Sequence, residues 1–97
     1  MKNYVNIALQ IIPKSKTKEA YDIVDDAIKL IQDSGLKYLV CPFETAIEGP
    51  YNEIMNLVEN VQETCFNSGA EELLVYIKIQ NRKGSAVTID EKMKKYK

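Results

Sequence analysis

Histidine is absent from all 97 residues, and with it go the commonest general base and the commonest metal ligand. No Ser/His/Asp or Cys/His arrangement can be assembled, so the residues predict no catalytic centre and no enzyme. Cysteine occurs only at Cys41 and Cys65, without CxxC spacing, which argues against a zinc site and against a disulfide framework. Two reduced thiols fit a cytoplasmic protein. The chain has no GxGxxG and no Walker lysine loop, the usual marks of nucleotide cofactors, and no other cofactor is expected. No apolar run approaches the roughly 18 residues of a membrane span, and the opening MKNYVNIALQIIP lacks the h-region and cleavage site of a secretory signal. Neither sign of charge is in excess. The formal net charge is −1, with acids and bases interspersed except in the run Lys92, Lys94, Lys95, Lys97, so a nucleic-acid backbone is not an expected partner.

What the chain does contain is a globular balance, 45% apolar and 28% charged, that predicts one soluble domain over residues 1–97. At this size a single core is only just self-sufficient, which favours burial of a further face against a copy of the chain.

Val5, Ile7, Leu9 and Ile11 alternate with Asn6, Ala8 and Gln10, the period of a strand with two unlike faces. Pro13 is expected to stop it. From Thr17 the period becomes helical, with Ala20, Val24, Ala27 and Ile31 in one stripe, widened by Ile23, Ile28 and Leu30, and Ser34-Gly35 as the stop. A strand over 37–41 follows. The same order then recurs: a strand over 44–48, a sharp turn at Gly49-Pro50, a helix with Ile54, Leu57, Val58, Val61 and Cys65 on one face, a stop at Ser68-Gly69, and a strand over 73–79. Thr88 and Glu91 have the spacing of a capping box, predicting a short helix to about Tyr96.

Two βαβ units in one short chain imply an α+β, ferredoxin-like βαββαβ fold: a four-stranded antiparallel sheet with both helices on one face. The other face is left open. Alternation places on it Asn6, Ala8, Gln10, Glu44, Ala46, Glu48, Leu74, Tyr76, Lys78 and Gln80. An RNA-recognition domain shares this order of elements but stacks bases on sheet aromatics, and the inner strands here offer at most one. Glu44 and Glu48 do not make a catalytic pair either, because positions four apart on a strand lie roughly 13 Å apart.

The connection GLKYLVCPFETAIEGP resembles the signature of the small thiamine-binding, YkoF-like family, of the form Gly-Leu-x-Tyr-x-x-x-Pro-x-x-Thr-x-x-Glu-Gly. Its elements stand here as Gly35, Leu36, Tyr38, Pro42, Thr45, Glu48 and Gly49, and the likeness continues in Ile77-Lys78-Ile79 and Thr88-Ile89-Asp90-Glu91-Lys92. The resemblance implies a non-enzymatic binder of thiamine or its hydroxymethylpyrimidine part, serving uptake, salvage or storage, assembled through its sheets into a dimer of dimers. Many relatives carry arginine where Glu72 stands and aspartate where Gln80 stands, so the charge of the pocket and its ligand preference are expected to differ here.

Thiamine offers an aminopyrimidine edge, a cationic thiazolium and a hydroxyethyl arm, which call for a carboxyl group, amide or hydroxyl partners and aromatic walls. Glu48 is the expected partner of the pyrimidine edge, its carboxyl favoured in a shared-proton state by partial burial; its plainer reading is an exposed strand-end glutamate. Thr45 is either a hydroxyl donor to the ligand or a β-branched strand residue. Asn6 and Gln10 face the same side as Glu48 and form either a polar rim or a sheet-to-sheet contact. Tyr38 and Phe43 either meet a ring or cation of the ligand or anchor an interface. Glu44 either attracts the thiazolium or neutralises Lys78. The amino end of the second helix is expected to bring free N–H groups near Glu48, and Cys41 and Cys65 are expected to be small buried hydrophobes. The competing reading is a structural or regulatory oligomer, binding another metabolite or a protein through Tyr38, Phe43 and Tyr76.

Overall fold

A computed structural model describes residues 1–96; Lys97, the last of the terminal lysine run, lies outside the described residues. The chain forms β1 (Tyr4–Lys14), α1 (Ala20–Asp33), β2 (Lys37–Val40), β3 (Thr45–Pro50), α2 (Tyr51–Asn67), β4 (Glu72–Gln80) and α3 (Ile89–Met93), the last continued by a 3₁₀ turn, Lys94–Tyr96. The strands lie in the order β2-β3-β1-β4, all neighbours antiparallel. This is the ferredoxin-like arrangement that the doubled βαβ pattern implies.

The odd-numbered face of β1 carries Val5, Ile7 and Leu9, which pack with Ile47 of β3 against Ile23, Ala27 and Ile31 of α1 and Ile54, Leu57, Val58, Val61 and Cys65 of α2. Each fully buried aliphatic side chain of this set contributes about 1.5–3 kcal/mol, so a one-residue slip of β1 would forfeit several at once. The stripe expected on α2 is buried in full, whereas Ala20 of α1 is exposed and Val24 only half-buried. Burial pushes the Cys65 thiol up, with Asp26 adding to it, so this cysteine stays a protonated core filler. Cys41, by contrast, is only half-buried, in the turn between β2 and β3.

Several boundaries differ from those expected. β1 does not stop at Pro13 but runs to Lys14, because its pairing with β3 ends at Leu9↔Thr45 while that with β4 continues through Pro13↔Leu73. Beyond Leu9 the strand has one neighbour, and a missing N–H is tolerated there. α1 starts at Ala20 rather than Thr17, since the Ser15 hydroxyl accepts the N–H groups of both Thr17 and Lys18 and holds a local turn. Gly49-Pro50 is not a turn: both residues belong to β3, and the chain passes straight into α2 at Tyr51, whose N–H donates to the Asn3 carbonyl at 2.8 Å. At Gly49 a Cβ would come within 2.9 Å of Leu36 Cδ2, so glycine lets the β2 approach pack closely on β3.

Past β4 the chain turns at Gly84, with φ of +79°, and comes back over the open sheet face. Val87 and Ile89 are buried there, and the capping box of α3 forms as its spacing predicts: Thr88 Oγ1 accepts from Glu91 N–H while the Glu91 carboxylate accepts from Thr88 N–H.

Candidate functional site

The register turns the open face into rows of side chains that cross the sheet. One row runs Lys37, Glu48, Asn6, Gln80 from β2 to β4; the next runs Leu39, Ala46, Ala8, Lys78. The two central positions of the second row are alanines, which leave a depression where larger side chains would meet. α3 overhangs one side of it. The result is a hollow of about 340 Å³ lined chiefly by Asn6, Ala8, Ala46, Lys78, Gln80 and Lys92, within the range of small-molecule sites.

Glu48 lies beside this hollow and is turned into the protein. Only 4% exposed, it accepts the Ile89 N–H on one oxygen at 2.9 Å and the Tyr4 hydroxyl on the other at 2.8 Å. Burial pushes the Tyr4 phenol up, and the hydrogen bond and charge of Glu48 push it further, so Tyr4 remains the donor. The N–H that reaches Glu48 thus comes from the start of α3, not from the amino end of α2 as expected; α2 packs on the opposite face of the sheet.

Asn6, 5% exposed, uses both ends of its amide. Nδ2 donates to the Ile47 carbonyl at 3.0 Å, which leaves Oδ1 to accept from Lys92 Nζ at 2.5 Å. A buried amide therefore holds an ammonium at the rim of the hollow. On the other side of Glu48, Lys37 donates to Asp90 at 2.6 Å and clamps α3 to the edge strand. The Asp90 hydrogen bond pushes Lys37 up against an opposing effect of desolvation, and the charges of Asp90 and Glu48 add to the rise. Arg82 holds the return loop by a two-pronged pair with Glu91, the shorter prong 2.9 Å.

The other residues singled out in the sequence are not gathered here. Gln10 and Glu44 share the open face, and Glu44 lies 3.9 Å from Lys78 Nζ, the neutralising contact that was one of its two readings. Thr45, opposite Leu9 and Val40, is buried on the helix side, away from Glu48. Tyr38, opposite Ile47, belongs to that side too, and Phe43, 81% exposed, stands in the β2–β3 turn. Sequence reasoning missed Tyr4, Ile89 and Lys92. The capping box announced α3 but held no sign of where α3 docks. Among the described residues no cluster of three potential ligands could hold a metal ion, and no helix is long and apolar enough to cross a membrane.

The profile of the thiamine-binding protein family matches residues 7–97. The chain belongs to that family. It is 38% identical over 92 residues to a UPF0045 protein of Clostridium perfringens, covering 95% of this chain and 96% of the relative. Among solved structures, a domain of unknown function, DUF77, from Bacillus cereus is 40% identical with a TM-score of 0.95, over 100% of this chain and 93% of the other. A Thermotoga maritima protein provisionally assigned to thiamine biosynthesis or salvage is 29% identical with a TM-score of 0.86, over 97% and 99%. Membership of this family ties the chain to a thiamine-related role with a small-molecule ligand.

Proposed function

We propose that the protein binds thiamine or its hydroxymethylpyrimidine part, without chemical turnover, in the hollow over Ala8 and Ala46, and that it serves thiamine uptake, salvage or storage in the cytoplasm. The observation that carries the reading is a small-molecule-sized hollow with a flat alanine floor and an amide rim, in a member of the thiamine-binding family. A planar pyrimidine suits that floor. Gln80, exposed at the rim and in the same row as Asn6, presents a donor and an acceptor side by side, the complement of an aminopyrimidine edge. In this reading Glu48 shapes the site from the side, fixing α3 and thereby Lys92, and it meets the ligand directly only when α3 lifts. Residues 1–97 act as one binding domain.

The same face supports the proposed assembly into a dimer of dimers. Beyond the reach of α3 it exposes Ile12, Leu74 and Tyr76, at 37%, 40% and 54%, with Ile12 directly opposite Leu74. Calorimetric titration of protein stripped of ligand by unfolding and refolding tests the function: saturable binding of thiamine, hydroxymethylpyrimidine or their monophosphates is expected, and no heat with any of them overturns it. Light scattering tests the assembly, which a monomer at micromolar concentration overturns.

A further inference from the structure

The charged side chains among those lining the hollow are lysines, not carboxylates, and this bears on the form of its ligand. Lys92 and Lys78 both line it. Lys92 Nζ is held at the rim by a neutral oxygen, Asn6 Oδ1, whose orientation is set by the Asn6 bond to the Ile47 carbonyl. An ammonium has three N–H groups, and one donated to Asn6 leaves two. Lys78 is 81% exposed in its side chain, and its contact with Glu44 is long, 3.9 Å, so little is lost when it exchanges that partner for another anion. Glu48, in the neighbouring row of the same face, is already engaged by Ile89 and Tyr4.

Two lysines lining one hollow oppose a cationic thiazolium and favour a group with negative charge. Resting on the binding function proposed above, we infer that the hollow selects the phosphorylated form of its ligand: a phosphate monoester of the heteroaromatic alcohol, its ring over Ala8 and Ala46 and its phosphate oxygens on Lys92 and Lys78. A phosphate monoester carries between one and two negative charges at neutral pH and accepts several charge-assisted hydrogen bonds. The free alcohol carries no negative charge and offers one hydroxyl oxygen as acceptor.

The test is a set of calorimetric titrations on ligand-stripped protein with thiamine, thiamine monophosphate, hydroxymethylpyrimidine and its monophosphate. Each monophosphate is expected to bind at least about tenfold more tightly than its parent alcohol, as one or more charge-assisted hydrogen bonds would produce. That ratio should shrink with added salt. It should fall toward one in Lys92→Met, and independently in Lys78→Met, which leaves α3 untouched. Parent alcohols that bind as tightly as the monophosphates overturn the inference while the binding function stands. A phosphate preference that survives both substitutions removes it from this hollow. No binding by any of the four overturns the function and the inference together.

Discussion

Glu48 and Ile89 lie 41 residues apart in the chain, and the carboxylate of the first accepts the backbone N–H of the second at 2.9 Å. This bond joins the third strand to the C-terminal helix across a face that the βαββαβ core leaves bare. It gives the open side of the sheet a wall.

Removing the carboxylate should therefore loosen the wall. Glu48→Ala leaves the buried Ile89 N–H and the Tyr4 hydroxyl without partners, and unfolding in urea is expected to show a loss of about 1–3 kcal/mol. Amide exchange at Ile89 should quicken with it. Glu48→Gln keeps an oxygen for Ile89 and turns an amide toward Tyr4, so it should lose less. Equal stability of all three proteins would show that the bond does not hold α3.

Filling the hollow should cost binding rather than folding. In Ala46→Leu the added atoms enter the space between Ala8 and α3, on the side away from the main core. Ligand affinity should drop more than about tenfold, while stability changes by roughly 1 kcal/mol or less, the range of substitutions outside the core. Retained affinity would place the ligand elsewhere.

Acid should release the return loop before the core. The Arg82 guanidinium and then the Thr88 N–H hold the Glu91 carboxyl below the usual glutamate range. A depressed folded-state value means that the contribution is present above the ordinary glutamate pKa, about 4.3, and is lost as pH falls below it through the folded value. Exchange protection around 82–91 should weaken on that descent, and Arg82→Gln should raise the pH at which it does. Protection indifferent to pH across this window would count against the pair as the loop's anchor.

The main core should behave as an ordinary close-packed interior. Ile54 is fully buried where α2 leaves the sheet, and Ile54→Ala is expected to lower stability by about 2–5 kcal/mol in chemical denaturation. A loss under 1 kcal/mol would mean that the α2 face is not the packed centre.

Much of this architecture is legible along the chain because burial on one face imprints a local period. Val5, Ile7 and Leu9 alternate, and Ile54, Leu57, Val58, Val61 and Cys65 recur at helical spacing. Gly35 and Gly69 take positive φ after the helices they end, as their Ser-Gly positions suggest. Where the reading slipped, a neighbour decided: Pro13 stays in β1 because β3 has already ended, and Thr17 stays out of α1 because Ser15 binds its N–H.

The candidate site was only half legible, for a different reason. Periodicity placed Asn6, Ala8, Ala46, Glu48, Lys78 and Gln80 on one open face, since a strand's alternation is a property of the strand alone. Family resemblance singled out Glu48. What a Glu48 oxygen meets, however, is set by a loop that reverses after Gln80 and lays α3 across the sheet, and no local pattern encodes that landing. The sequence by itself determined the fold, the two faces and the cap of α3. Only the tertiary structure decided that Ile89 and Tyr4 occupy Glu48, that Asn6 aims Lys92, and that two alanines side by side open a hollow, because each depends on partners far apart in the chain.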